Sequence, residues 1–564
     1  MSNTNHTRQG IANIPNICYR LGVREVILCP GSRNAPLIVS FTQFGNINCI
    51  SITDERSAAY FALGIVQYTR RPVAVVCTSG TAALNLAPAI AEAYYQNLPL
   101  IVFTADRPVE WVDQADGQVI RQQNIFANYI KSAYNLPLET VHNDDLWFSN
   151  RLVAQAISYA VQCPAGPVQI NVPLREPLYN LLPKPCDDLK VAINIAVDAT
   201  IPTNELDILR NKWGKCEKVL IIVGIHEPDI ELNNIVNVLS ELSNVVVLAE
   251  NLSNISGNNI IDSTESFIAS LSDHEKGLFK PNLLVTVGHS LVSKRLKQYL
   301  RVFKPDEHWH IGVEHGFVDT FNCLSHVLSV NSVWMLKQFV GFRNTCESQY
   351  AQYAMKKFEK VIHFRNHYLE HMPFSDIAVF NTLMNIIPEN TLLHLANSTP
   401  VRLAQLFTSR RDIAYFANRG TSGIDGCVST AAGAAFASQK SCIVITGDIS
   451  FIYDSNALWN NHISDNFKVI VINNGGGNIF RLIDSTPEID NISYFFETPH
   501  KVKIQLLAEA FGFQFLTCNN MSQLHKMFNT FLQMNKLAVL EIQTDAEVNT
   551  ATFKDFYNQI IKNT

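Results

Sequence analysis

Residues 441–480 read SCIVITGDISFIYDSNALWNNHISDNFKVIVINNGGGNIF. Two apolar, β-branched runs, CIVIT and VIVI, each stop at a small-residue turn: Gly447-Asp448 after the first, and Asn473-Asn474-Gly475-Gly476-Gly477 after the second. Near-continuous apolar strands of this kind are buried on both faces, as in a parallel sheet covered by helices. Asp448 and Asn474 lie 26 residues apart, the length of one strand–crossover–strand unit. Adjacent parallel strands would then bring a carboxylate and an amide oxygen to one point beyond their C-terminal ends, where open α/β sheets bind ligands. Both are hard oxygen donors suited to Mg²⁺, which keeps some water and shares substrate phosphates. The glycines after Asn474 let backbone approach a phosphate and leave carbonyls free to ligate. Alone, Gly-Asp or Asn-Gly is ordinary turn chemistry; the joint pattern is more specific.

The same grammar extends in both directions. Strand-then-turn patterns occur at REVILCPGSR (24–33), NINCISITDER (46–56), RPVAVVCTSG (71–80), LPLIVFTADRP (98–108) and PAGPVQINVP (164–173). A second set comprises KVLIIVGIH (218–226), NVVVLAE (244–250) and NLLVTVGHS (282–290). A third comprises TLLHLANS (391–398), DIAYFANRG (412–420), the two opening strands and LAVLEIQTD (537–545). Helical patterns such as STAAGAAFAS (429–438) fill the gaps, and YAMKKFEKVIHFRNHYLEHM reads as a long connecting helix. The expected fold is α/β, with three consecutive parallel-sheet domains at 1–182, 190–350 and 360–564, the first two joined by a linker at LLPKPCDDLK (181–190).

Composition narrows the function. The chain has 564 residues, 47% hydrophobic and 17% charged, enough apolar material for several cores. A formal charge of −6 advertises no nucleic-acid surface. No apolar run reaches the 18 or so residues of a membrane span, so no membrane insertion is expected. The twelve cysteines form no CxxC pair and many sit in apolar strands. They read as small core residues of a soluble cytoplasmic protein. No GxGxxG stands at a strand exit, which argues against a nicotinamide dehydrogenase.

On this acidic chain, the strand exits gather cations: Arg33, Arg107, Lys294, Arg295, Arg402 and Arg419. Arginine presents a planar fork that binds carboxylates in bidentate fashion. Five arginines and one lysine at ligand-side turns point to substrates rich in carboxylates.

GDIS at 447–450 followed by NN at 473–474 resembles the signature of thiamine-diphosphate enzymes, usually written GDG and, about two dozen residues on, NN. Ile449 replaces the second glycine, a departure shared by one branch. CPGSRNAPL, DERSAAYFALG, TSGTAALN, TADRP, GPVQINVPLREPLY, NSTPVR, NRGTSGIDGCVSTAAG, GDISFIYDSNAL and NNGGGNIF together resemble the 2-succinyl-5-enolpyruvyl-6-hydroxy-3-cyclohexene-1-carboxylate synthases of menaquinone biosynthesis. The likeness covers both outer domains and, in the middle one, rests mainly on SKRL (293–296).

The resemblance implies thiamine diphosphate with Mg²⁺ (or Mn²⁺) held by Asp448, Asn474 and the Gly476 carbonyl. It implies a catalytic Glu55 paired with N1′ of the aminopyrimidine, and further cofactor contacts from Ser422, Ile424 and Gly447. Ile424 would bend the cofactor. Substrate contacts would come from Ser32, Arg33, Arg107, Gln118, Lys294, Arg295, Ser398, Arg402 and Arg419, with Ile479 and Phe480 walling the pocket. The implied reaction is decarboxylation of 2-oxoglutarate and 1,4-addition of the resulting succinyl carbanion equivalent to isochorismate. The alternative is another thiamine-diphosphate 2-oxoacid decarboxylase or an acetohydroxyacid synthase, which act on smaller monocarboxylates. No histidine matches a catalytic position, and no flavin is expected. A homodimer or homotetramer with active sites at subunit interfaces is implied.

Overall fold

The computed structural model describes residues 6–179, 182–313, 316–342, 346–482 and 493–564. It contains three sheets, each of six parallel strands. Sheet 1 is built from β1 (Glu25–Leu28), β2 (Asn48–Ser51), β3 (Val73–Cys77), β4 (Leu100–Asp106), β5 (Ser132–Asn135) and β6 (Val168–Pro173), in the order β2-β1-β3-β4-β6-β5. Sheet 2 contains β7 (Val219–Val223), β8 (Val245–Ala249), β9 (Ile260–Ile261), β10 (Leu283–Val287), β11 (Glu307–Ile311) and β12 (His326–Leu328), in the order β12-β11-β10-β7-β8-β9. Sheet 3 contains β13 (Leu392–Leu395), β14 (Ala414–Phe416), β15 (Cys442–Gly447), β16 (Phe467–Asn473), β17 (Gln514–Cys518) and β18 (Ala538–Gln543), in the order β14-β13-β15-β16-β18-β17.

Counted from its own first strand, sheet 3 repeats the strand order of sheet 1. Sheet 2 has the doubly-wound order found in dinucleotide-binding folds. Its switch point lies between β7 and β10. There the turns are laced together by backbone bonds: Gly224 N donates to Val287 O, Ile225 N to Ser290 O, and His289 N to Ile225 O, at 2.8, 3.2 and 2.9 Å.

The central strands are apolar because both faces are covered. Every residue of β3, β4, β7 and β8 is buried. Edge strand β5 (SAYN) and edge strand β17 (QFLTC) are only partly covered, and their sequences are correspondingly mixed.

The chain forms two compact units. The first comprises 1–196, 418–442 and 453–467, with a core made by sheet 1 and the helices Gln9–Arg20, Ala35–Phe44 and Asn143–Val161. The expected linker is part of this unit. Gln9 and Asn16 of the first helix donate to the carbonyls of Lys184 and Cys186, and the Cys186 N–H donates to Asn13 at 2.9 Å. The polar, proline-bearing segment is therefore a strap over a helix, with Leu189 buried in the core. The second unit comprises 197–417, 443–452 and 468–564, in which residues of sheets 2 and 3 share one apolar core with the connecting helix Tyr350–Glu370. Among the described residues, no helix is long and apolar enough to cross a membrane.

Within the first unit, helix Glu55–Thr69 crosses helix Cys427–Ala437 at backbone contact. A Cβ on Gly64 would sit 1.8 Å from Thr430 O, and one on Gly433 would sit 1.9 Å from Phe61 O. Only glycine at both positions permits this approach.

Candidate active site

Glu55 is the first residue of helix Glu55–Thr69, with Asp54 as its N-cap. Asp54 accepts from Ser57 N at 3.0 Å and from Asn456 Nδ2 at 2.5 Å. Glu55 itself is half-buried, and burial raises its carboxyl above the ordinary range, with the neighbouring Asp54 charge adding to the rise and a hydrogen bond from Asn85 opposing it. A carboxyl group poised in this way can hold and share a proton with a ring nitrogen.

Below it, Ser57 Oγ meets Ser429 Oγ at 3.0 Å, and Ser429 donates through both N and Oγ to the fully buried Asp454 at 2.7 Å each. The loop carrying Arg419, Ser422 and Ile424 is gripped by Glu92. Its carboxylate accepts from Gly420 N (2.6 Å), Thr421 N (2.7 Å) and Thr421 Oγ1 (2.6 Å). Ser422 adopts a left-handed φ of 67°, and Tyr60 OH donates to Asp425 at 3.2 Å.

Arg33 and Arg107 converge. Arg33 follows β1 and donates to Leu174 O at 3.0 Å and to Glu176 Oε1 at 3.1 Å. Arg107 follows β4, pairs with Asp116 at 3.1 Å and lies 3.8 Å from the same Glu176 oxygen. The Arg33 side chain is 5% exposed and that of Glu176 68%, so the guanidinium is fixed and the carboxylate is free to swing away. Gln118, at φ 55°, is exposed, and its carbonyl accepts from Ser79 Oγ at 2.9 Å. Ser32 is exposed at the β1 turn. Gln122, which the sequence reading did not single out, ties this end together: Oε1 accepts from Gly80 N at 3.1 Å and Nε2 donates to Ala105 O at 2.8 Å.

In the second unit, adjacent strands β15 and β16 bring Asp448 and Asn474 together as their spacing implied. Gly475 N donates to Asp448 Oδ2 at 3.0 Å, and His500 Nε2 lies 3.3 Å from the same oxygen. Val502 N donates to His500 Nδ1 at 3.3 Å, which leaves the proton on Nε2. Asn474 is oriented by Asp376: Nδ2 donates to Asp376 Oδ2 at 3.2 Å, while Thr544 Oγ1 donates to Asp376 Oδ1 at 2.6 Å. Burial pushes Asp376 up to about 6.

The consequence is that Asn474 Oδ1 is buried with no hydrogen-bond partner. A buried amide oxygen left unpaired is costly unless something is meant to bind it. Gly475 (φ 83°) and Gly476 (φ 154°) turn the chain over this point, and a Cβ on Gly476 would meet Glu497 O at 2.4 Å. The Gly476 carbonyl accepts from Asn478 N at 3.0 Å, which leaves it one lone pair. An orphan amide oxygen, a buried carboxylate and a carbonyl form a hard-oxygen set that fits Mg²⁺ or Mn²⁺ bound to a diphosphate.

Beyond this oxygen set, Phe480 packs edge-on against Phe496 at 5.6 Å, and Arg481 holds Glu497 at 2.5 and 2.8 Å. Ile479 is half-buried beside them. Arg295 pairs with Glu265 at 3.1 Å and lies 4.3 Å over the Tyr557 ring, and the Arg402 charge also acts on Glu265. Lys294 is exposed at the start of helix Lys294–Val302, whose preceding turn is fixed by Glu250 accepting from Val292 N and Ser293 N at 2.6 Å each. Ser398 has φ 74° and ψ −122°, a strained conformation for a residue with a side chain. It stands on the turn after β13, at the switch point of sheet 3.

Residues 11–127 match the family described as thiamine pyrophosphate enzyme, N-terminal TPP binding domain. Residues 206–395 match the middle domain of thiamine pyrophosphate, and residues 398–542 the C-terminal TPP binding domain. Three relatives carry the name 2-succinyl-5-enolpyruvyl-6-hydroxy-3-cyclohexene-1-carboxylate synthase. The protein of Flavobacterium psychrophilum is 40% identical over 97% of this chain and 98% of its own. That of Flavobacterium johnsoniae is 38% identical over 97% and 98%, and that of Cytophaga hutchinsonii 36% over 98% and 99%. The chain belongs to this synthase family. Its three sheets are thus the three domains of a thiamine-diphosphate enzyme, with Glu55 in the N-terminal match and Asp448, Asn474 and Gly476 in the C-terminal one. Asp376, Glu92, Asp454 and His500 gave no signal in the sequence: each looks there like a helix cap, a surface acid or a turn residue.

Proposed function

We propose that the chain catalyses the thiamine-diphosphate-dependent decarboxylation of 2-oxoglutarate and the 1,4-addition of the succinyl unit to isochorismate, giving 2-succinyl-5-enolpyruvyl-6-hydroxy-3-cyclohexene-1-carboxylate for menaquinone synthesis. What carries the reading is end-to-end similarity to synthases of that name in a chain that keeps Glu55 and leaves the Asn474 amide oxygen unpaired beside Asp448.

Asp448, Asn474 and the Gly476 carbonyl would hold Mg²⁺ or Mn²⁺ on the diphosphate, Gly447 would pass close to it, and Ser422 and Ile424 would contact the rest of the cofactor. When bound, thiamine diphosphate supplies the carbon nucleophile and the electron sink for the lost carboxylate. The work left to the chain is binding and proton control. Glu55, half-buried with its carboxyl raised by burial, would exchange a proton with the pyrimidine nitrogen. Arg33 and Arg107, focused on one Glu176 oxygen, mark where a substrate carboxylate would bind. Arg295, Arg402, Lys294 and Arg419 supply further positive charge, Ser32, Gln118 and Ser398 supply polar contacts, and Ile479 and Phe480 exclude water. The assembly belonging to this reading is a homodimer or homotetramer with active sites at subunit interfaces, in the cytoplasm.

The test follows carbon dioxide release and isochorismate loss with both substrates, cofactor and Mg²⁺. Turnover that needs all four components is the expected result. Turnover of pyruvate without 2-oxoglutarate or isochorismate would move the chain to the decarboxylase or acetohydroxyacid synthase reading.

A further inference from the structure

Sheet 2 carries a cluster that the reaction does not use. Strand β11 projects His308 and His310 toward Thr286 of neighbouring β10, whose Oγ1 lies 2.9 Å from His308 Nε2 and 2.9 Å from His310 Nδ1. A threonine hydroxyl has one proton, so it can donate to only one of these nitrogens and must accept from the other. His308 is 1% exposed, and with Nε2 engaged its Nδ1 is buried with no hydrogen-bond partner.

The segment after β11 returns over this ring. Phe321 packs on it at 5.6 Å, and Ser325 clasps the His308 backbone, accepting from His308 N at 3.0 Å and donating to its carbonyl at 2.9 Å. Between them, Asp319 Oδ1 accepts from Cys323 N at 2.9 Å and Leu324 N at 3.1 Å. One ligand atom from each of His308, Asp319 and Cys323 lies within 4.8 Å of the others.

We propose that His308, Asp319 and Cys323 form a binding site for a borderline-soft divalent cation, Zn²⁺ by its nitrogen, oxygen and sulfur donors. The site is empty in this structure. Tetrahedral zinc with bonds near 2.0–2.3 Å spaces its ligands about 3.5 Å apart, within reach of side-chain rotation from the present separations. Three protein ligands leave a fourth position for water on the side of exposed Asp319, which also gives the ion its way in. Thr286 acts as the outer partner that fixes the His308 ring: Nε2–H donates to Oγ1, and the Nδ1 lone pair faces the ion.

Two groups tune the site. Burial and the Asp319 charge raise the Cys323 thiol to about 11, while the nearby Lys304 charge favours the thiolate. Ligation would pin the β11–β12 connection to the middle sheet, far in kind from the hard-oxygen set that suits Mg²⁺.

The experiment uses untagged, full-length protein saturated with Mg²⁺ and thiamine diphosphate, titrated with Co²⁺ as the optical stand-in for Zn²⁺. The expected result is one equivalent of a thiolate-to-cobalt charge-transfer band in the near ultraviolet, bleached by Zn²⁺. Cys323→Ser should abolish that band. His308→Gln should weaken Co²⁺ at least tenfold. His367→Ala, in an exposed His–Glu–His group at the C-terminal end of helix Tyr350–Glu370, should leave it unchanged. Absence of the band in the unmutated protein, or its survival in Cys323→Ser, overturns the proposal.

Discussion

A carboxyl group that trades a proton with a ring nitrogen works best when its pKa is drawn up toward the operating pH. Burial raises the Glu55 carboxyl above its ordinary range, and the Asp54 cap clamps its backbone, so its direction is set by the fold. Glu55→Gln should cut turnover by about 10²-fold or more while calorimetry still detects Mg²⁺–thiamine diphosphate binding. Near-normal turnover would remove Glu55 from catalysis. Ser398 offers a second test at this scale. Its positive φ costs about 1–3 kcal/mol that glycine would not pay. Ser398→Gly should therefore raise the melting temperature and at the same time raise KM for one substrate about tenfold or more, the loss of a hydrogen bond to a charged group. A variant that gains stability with both KM values unchanged would show the hydroxyl touches neither substrate. Glu55 and Ser398 were legible only through the motifs around them. Asp376 and Glu92 were not, because a residue that orients another through space leaves no local spacing to read.

The helix pair Glu55–Thr69 and Cys427–Ala437 shows what elements add. Gly64 and Gly433 each face a carbonyl of the other helix at under 2 Å from an added Cβ, so Gly433→Ala forces the two backbones apart. A loss of about 1–3 kcal/mol in denaturant unfolding is expected, and no loss would mean that the crossing is looser than its geometry implies. The same pair buries Asp454, pushed up to about 7 chiefly by desolvation and bonded twice to Ser429. Its folded pKa lies above the unfolded value near 4, so its contribution is fully present below about pH 4 and lost as pH rises through about 7. Asn is neutral like the protonated acid, its oxygen able to accept from Ser429 N while its NH₂ donates to Ser429 Oγ. The unmutated protein should thus lose melting temperature between pH 5 and 8 more steeply than Asp454→Asn, and parallel slopes would refute the assignment. Strands such as CIVIT and VAVVC were readable because both faces are buried, leaving no polar residue to blur the run. Edge strand β17 and the histidine-bearing β11 were missed because half-covered or polar positions break that pattern. The segment 181–190 reads as a linker because its prolines and charges look solvated, although the carbonyls of Lys184 and Cys186 bind the first helix.

Across the whole molecule, the repeated strand order of sheets 1 and 3 explains why their turns share a grammar: the same topology creates the same crevice beyond the strand ends, once in Glu55's domain and once beside Asp448 and Asn474. A cofactor held by the native fold and not by the unfolded chain must stabilise it by mass action, by about 2.7 kcal/mol at a concentration one hundred times Kd. Mg²⁺–thiamine diphosphate should accordingly raise the melting temperature in proportion to the logarithm of its concentration. Asp448→Ala should abolish that response, since it removes a proposed metal ligand and frees Gly475 N and His500 from their shared acceptor. If the active sites lie at subunit interfaces, the same shift should depend on protein concentration, because dilution then removes cofactor affinity together with assembly. Light scattering run beside the melts tests this directly: an active, cofactor-stabilised monomer would refute the interface assignment while leaving the metal ligands standing, whereas a dimer whose Asp448→Ala variant keeps the full cofactor shift would place the ion elsewhere.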